Sequence, residues 1–203
     1  MDEIFNVFDK FYTKTGIASR NEVHKQGLWH ETFHCWMYYR EGSEINLYFQ
    51  QRSKLKKDYP DLLDTTVAGH LLHTETPLDG VREIKEELGI DVEISQLQYA
   101  GFVPMSITLP SIIDREFTNV YLLERKFNMH DFNLQLEEVQ GIFVISLSDL
   151  EQLLADETYI TEANGFIMQD NKREKCVKLV QRKNLCAFYP EYYTFLINYL
   201  KSL

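Results

Sequence analysis

With 203 residues and a mass of 24.0 kDa, the chain has the length of one domain that can bury a core without disulfide or metal staples. Hydrophobic residues at 44% and charged residues at 26% exclude a largely disordered chain. Acidic residues outnumber basic ones 31 to 21, for a net charge of −10, which excludes general binding to nucleic acid polymers or anionic membranes; an anionic small molecule must then be met by a metal ion or a local group of bases.

In chain order, residues 3–9 alternate weakly and read as a strand, and residues 19–26 as a short helix with Ser19 as N-cap and Glu22 closing a capping box. Residues 32–40 (TFHCWMYYR) are rich in aromatic and β-favouring side chains, Glu41-Gly42-Ser43 turns the chain, and residues 45–51 (INLYFQQ) form the hairpin partner. Trp29, beside His30, is expected against a pocket, while Phe33 and Trp36 are expected in the core. A basic run, RSKLKK, follows at residues 52–57 and ends before Pro60; residues 62–68 read as a short strand leading into Gly69. Residues 78–88 are the clearest helix: Val81, Ile84 and Leu88 make an apolar stripe, Thr76 and Pro77 suit its start, and Gly89 suits its stop. Residues 92–103, 116–123 and 142–145 read as strands, Ser146 caps a helix over 147–154, and residues 191–203 form an amphipathic helix carrying Phe195, Leu196, Tyr199 and Leu200. The six bases between Lys172 and Lys183 read as a surface strand or loop. Strands and helices mixed without strict βαβ alternation predict an α+β or mixed-sheet sandwich.

Cys35, Cys176 and Cys186 have no paired spacing, which points to a reducing compartment. The first residues, MDEIFNVFDKFY, carry acids where a secretion signal carries bases, and no window approaches the ~20 apolar residues of a membrane span. A cytoplasmic protein is expected.

The informative stretch is residues 69–90, GHLLHTETPLDGVREIKEELGI. Glu83, Glu86 and Glu87 stand at i, i+3 and i+4 and share one helical face, where like charges cost stability that Arg82 and Lys85 offset only in part. A solvated acidic face is the ordinary fate of such a run, but this oxygen cluster also suits a hard divalent cation. The whole string resembles the Nudix box, in which a glycine, five residues, a glutamate and seven residues precede R-E-U-x-E-E-x-G-U, with U a bulky aliphatic. Gly69 and Glu75 keep the first spacing, and Arg82, Glu83, Ile84, Glu86, Glu87, Gly89 and Ile90 fill the second half; only six residues, one fewer than the pattern, separate Glu75 from Arg82, so the shortened spacing falls on Glu75 rather than on the helix glutamates. The resemblance implies an α/β/α sandwich around a mixed sheet, one domain over residues 1–203 with an N-terminal β extension and a C-terminal helix, the role of residues 147–203 staying open. It implies Mg²⁺ or Mn²⁺ held by Glu83, Glu86 and Glu87, with the Gly69 carbonyl as a further ligand and Arg82 orienting a neighbouring glutamate.

Within that superfamily, VHKQGLWHETFHCWMYY, QQRSKLKKDYP, VAGHLL and DREFTNVYLL are similar to the isopentenyl-diphosphate-isomerase-like branch, over about half the chain. That likeness implies a metal bound by histidines and carboxylates, at His24, His30, His70, Asp114 and Glu116, although His24 and His30 stand one residue closer than in the isomerase; His34 lies on the same strand. It also implies a diphosphate grip at Arg52 and Lys56. The isomerase has a catalytic cysteine where this chain has Ala68, no cysteine here is near it in sequence, and the box keeps its acids, so hydrolysis is expected over isomerisation.

The expected reaction is hydrolysis of a diphosphate linkage in a nucleoside-diphosphate-like or other small organic diphosphate. Metal would neutralise charge and acidify a water, and a glutamate would take its proton. Glu83, Glu86 and Glu116 are the candidate catalytic carboxylates, with Glu137 and Glu138 a weaker pair. A non-catalytic metabolite-binding module is the alternative of another class. Exposed hairpins in this superfamily are compatible with a homodimer.

Overall fold

The first strands, β1 (Ile4–Phe8) and β2 (Lys14–Ser19), pair antiparallel and lead into α1 (Arg20–Gln26), whose Ser19–Glu22 capping box and left-handed Gly27 stop match its local sequence. The structure is a computed structural model and describes residues 3–108, 113–170, 172–186 and 189–203. Next come β3 (Trp29–Glu41), β4 (Glu44–Arg52), β5 (Leu63–Asp64) and β6 (Val67–His70). A 3-10 turn (Asp79–Val81) opens onto α2 (Arg82–Leu88), which Gly89 ends in the left-handed region. After it stand β7 (Gln98–Thr108), β8 (Ile113–Glu124), β9 (Val139–Ser146), α3 (Leu147–Ala155), β10 (Thr161–Gln169), β11 (Lys172–Val180) and α4 (Pro190–Ser202).

All eleven strands join one mixed sheet. β3 is its hub: it pairs antiparallel with β4 and β6 and parallel with β8, where His30 stands opposite Glu116. Side chains alternate across β3. Phe33, Cys35 and Met37 pack on one face with Ile84 and Leu88 of α2. Trp36 and Tyr38 pack on the other with Leu150 of α3 and Leu196 of α4. Helices thus cover both faces, giving the expected three layers.

Several expectations shift. The helix expected over 78–88 begins as the 3-10 turn, and Thr76 does not accept at the N-terminus: its N–H and hydroxyl both donate to Asp79, each at 2.8 Å. Gly80 lets this turn pack closely on β3, since a Cβ there would lie 2.5 Å from Phe33. The strand expected over 62–68 is two short strands, because Thr65-Thr66 breaks the ladder and the Thr66 hydroxyl bonds backbone of β3 and β4. The strand expected over 92–103 begins only after a 3-10 turn at Ile94–Gln96. β2 and β10 lack clear alternation and were not legible, and the basic run from Lys172 supplies the outer strand β11.

Candidate active site

α2 presents Glu83, Glu86 and Glu87 to one cleft, and Gly69 of β6 leaves the room Glu83 needs: a Cβ on Gly69 would lie 2.2 Å from the Glu83 carboxyl group. Arg82 organises these acids. Its Nε donates to Glu75 Oε1 at 2.5 Å and its Nη2 to Glu75 Oε2 at 2.9 Å, a bidentate fork, while Nη1 reaches Glu83 Oε1 at 2.8 Å and Glu86 Oε2 at 3.0 Å. Glu75 also accepts from the Leu72 N–H at 2.8 Å, so the shortened spacing before Arg82 still brings it into the network. Burial raises the Glu83 carboxyl to about 7 although Arg82 pulls it down, and burial holds Glu87 well above the ordinary carboxylate range. Glu87 takes a 3.3 Å bond from the Gln50 amide.

A second cluster lies in the same cleft. His24 from α1, His30 from β3 and His70 from β6 each offer one ring nitrogen within 4.8 Å of the others, and His30, Asp114 and Glu116 meet by the same measure. The left-handed Gly27 ends α1 and turns the chain into β3 between His24 and His30. His24 Nδ1 lies 2.8 Å from the Arg20 carbonyl and His30 Nδ1 3.1 Å from that of Leu28. A carbonyl only accepts, so each Nδ1 carries a proton, and in the neutral ring Nε2 is the nitrogen left for a metal. Phe5 stacks on His30 and His70, fixing both rings. Burial pushes His30 down to about 4 and His70 well below the ordinary histidine value, which keeps them neutral and able to ligate. Burial raises Asp114 and holds Glu116 well above the usual range. His30 Nε2, His70 Nε2 and Asp114 Oδ1 are sealed from solvent without a hydrogen-bond partner. Orphaned atoms of this kind are costly unless something satisfies them. A divalent ion fits both donor sets: the carboxylates of α2 suit Mg²⁺ or Mn²⁺, and the mixed imidazole–carboxylate set suits a transition ion.

Both clusters open on one cavity of about 950 Å³, which Arg52 and Lys56 also line. Here the two bases are paired: Arg52 Nη1 donates to Asp64 at 2.8 Å, and Lys56 bonds Glu138. Glu138 is thereby an ion-pair partner on the cleft rim, and Glu137 is exposed and does not line the cavity. Trp29 does not line it either; its ring stacks on Phe117 at 4.5 Å, because Trp29 and His30 point to opposite faces of β3.

Sequence reasoning missed the cleft wall supplied by the C-terminal region: Cys186, Tyr189, Tyr192 and Tyr193 line it, with His34 of β3 opposite. No local motif marks these residues, though the alternation His30, Thr32, His34 placed His34 on the cleft-facing side. Cys186, distant from Ala68 in sequence, therefore shares a cavity with it; burial pushes its thiol up, so it stays protonated.

A family model described as the NUDIX domain matches residues 28–165. The chain is 36% identical over 200 residues to an uncharacterised Nudix hydrolase of Clostridium acetobutylicum, covering 98% of this chain and 97% of that one. It is 28% identical over 123 residues to an isopentenyl-diphosphate Δ-isomerase of Serratia proteamaculans, covering 60% of this chain and 66% of the isomerase. Among solved structures, a Deinococcus radiodurans protein superposes with a TM-score of 0.54 at 23% identity, over 75% of this chain and 87% of its own.

Proposed function

Since this chain belongs to the Nudix family, whose hydrolases act on phosphoric anhydrides, we propose that it cleaves a diphosphate linkage in a small organic diphosphate, using Mg²⁺ or Mn²⁺. The observation that carries this reading is the meeting of Glu83, Glu86 and Glu87 of α2 in one cavity with Arg52 and Lys56, Glu83 lying against Gly69 and Arg82 bonding both Glu83 and Glu86. A divalent ion held by those carboxylates would offset charge building on the phosphate oxygens and ease deprotonation of a nearby water. Arg82 keeps Glu83 and Glu86 from collapsing on each other or repelling apart. Arg52 and Lys56 would exchange part of their pairing with Asp64 and Glu138 for phosphate oxygens. Glu83, raised to about 7, and Glu116, on the opposite wall, are the candidate proton acceptors. The set of His24, His30, His70, Asp114 and Glu116 would hold a separate, more tightly enclosed ion. Residues 147–203 complete this one domain, since α4 packs in the same core as Trp36.

Phosphate release from a panel of organic diphosphates, with Mg²⁺ present, tests the reading. Glu86→Gln is expected to lower turnover by about a hundredfold or more. Undiminished activity in that variant would remove the mechanism, and tight binding without turnover by the unaltered protein would favour a non-catalytic module. Isomerisation of isopentenyl diphosphate would overturn the argument from Ala68, which stands where the isomerase has its cysteine.

A further inference from the structure

The segment entering α4 brings one more polar group to the cleft. Tyr189 precedes Pro190, and a residue in that place is restricted to extended backbone; its φ is −112° and its ψ 103°. Its carbonyl accepts from the Tyr193 N–H at 3.1 Å, and its side chain packs against the core that contains Trp36 and Leu196. Backbone and ring thus hold it in place where it lines the cavity.

Among the described side chains that line this cavity, three hold a polar atom sealed from solvent with no hydrogen-bond partner: His70 Nε2, Asp114 Oδ1 and the Tyr189 hydroxyl. The first two belong to the histidine–carboxylate cluster, where a divalent ion would satisfy them. The third is a neutral phenol and stands outside that donor set. Burial, and after it the field of Glu116 and Asp114, pushes the Tyr189 pKa up, so the group is a proton donor at neutral pH. A buried O–H without an acceptor is costly, and phenylalanine would fill the same space without that cost. The hydroxyl therefore calls for an acceptor that enters the cleft. Arg52 and Lys56 line the same cavity and suit an oxyanion, whose oxygens also accept charge-assisted bonds from a phenol.

We propose that Tyr189 is a further substrate-binding residue: its hydroxyl, held by the extended entry to α4, donates to a phosphoryl oxygen of the bound diphosphate. This rests on the diphosphate-hydrolase reading for the chemistry of the acceptor, though not for the unpaired state of the hydroxyl. Tyr192, on the same wall, is the contrasting case. Its oxygen already lies 2.8 Å from His34 Nδ1 and 2.9 Å from the Trp36 indole nitrogen, and it also bonds Thr65, so it is spent on the wall itself.

Measurements on the full chain test this with Tyr189→Phe, which removes the oxygen and keeps the ring. The melting temperature in chelator should stay level or rise, because no internal partner is lost; a clear drop would show the hydroxyl bonded within the protein and overturn the proposal. Calorimetric titration with methylenediphosphonate, a diphosphate analogue that water does not cleave, is then run with Mg²⁺ present. Tyr189→Phe should bind it roughly ten- to a hundredfold more weakly than the unaltered protein. Equal affinity in the two proteins, or no binding by the unaltered one, would overturn the proposal. Mn²⁺ titrated alone should bind both proteins equally, and a weaker Mn²⁺ affinity in Tyr189→Phe would assign the hydroxyl to the ion instead. Turnover of a diphosphate panel keeps this apart from the hydrolase reading. A protein that binds the analogue through Tyr189 and hydrolyses nothing sinks that reading and sustains Tyr189, whereas hydrolysis with unchanged KM and unchanged analogue affinity in Tyr189→Phe does the reverse.

Discussion

At Gly69 the missing side chain matters for where a charge sits more than for stability. An added methyl would lie 2.2 Å from the far end of the Glu83 side chain, which is flexible enough to swing away. Gly69→Ala is therefore expected to leave the melting temperature nearly unchanged in chelator while lowering metal-dependent turnover by about tenfold or more, because the displaced carboxylate no longer meets its neighbours. A large loss of stability with normal activity would show that Glu83 does not need this approach. His34 supplies a residue-scale pH dependence. Burial holds its pKa at about 4, below the ordinary 6.5, so the unfolded chain takes up the proton first as pH falls. Its contribution to stability is complete above about pH 6.5 and is lost as pH falls through about 4. Melting temperatures measured in chelator should accordingly fall less steeply across that window in His34→Gln than in the unaltered protein; parallel curves would contradict the burial argument.

At the scale of elements, short helices are the weak points of both clusters. α1 has seven residues and little of its own core beyond Val23, yet it carries His24. Its entry depends on Ser19 accepting from the Glu22 N–H while the Glu22 carboxylate bonds the Ser19 N–H at 3.3 Å. Ser19→Ala should cost about 1 kcal/mol of stability and weaken Mn²⁺ binding, while leaving the α2 carboxylates intact. Thermal unfolding with and without Mn²⁺ separates these effects, and unchanged Mn²⁺ affinity would mean that α1 is held by something other than its cap. α4 is the contrasting case. Pro190 starts it, and Leu196 and Leu200 bury against the face of β3 that carries Trp36. Its stability comes from the core, which lets it hold Tyr192 against His34 without any local cap.

Over the whole molecule, a net charge of −10 and several buried carboxylates make cation binding a stabilising event. Mg²⁺ or Mn²⁺ should raise the melting temperature through a stabilisation of about 2.7 kcal/mol at a hundredfold excess over Kd, and chelator should reverse it. His30→Gln should remove most of the Mn²⁺-dependent part and spare the Mg²⁺-dependent part, because imidazole selects the transition ion and carboxylate the harder one. Equal loss of both responses would argue for one metal centre rather than two.

What the sequence determined by itself is what local repetition and spacing control. The i, i+3, i+4 glutamates of α2, its Gly89 stop, the Ser19 cap and the β3–β4 hairpin all follow from side chains within a few residues of one another. The resemblance to a known box supplied the chemistry of those glutamates and named the histidines. Tertiary structure alone decided which distant residues share a cavity. His34 and Tyr192 are 158 positions apart, and Cys186 reaches the cavity that Ala68 lines because its N–H bonds the Leu63 carbonyl of β5 at 2.6 Å. β10 is not legible in the sequence because its Gly165 and polar residues blur the alternation that marks a strand. The bidentate fork from Arg82 to Glu75 likewise depends on how the 3-10 turn packs Gly80 on Phe33. Periodicity is a local property of the backbone and can be read from neighbours, whereas the meeting of β3, β6, β8 and α4 depends on sheet order and register, which are set by burial over the whole chain.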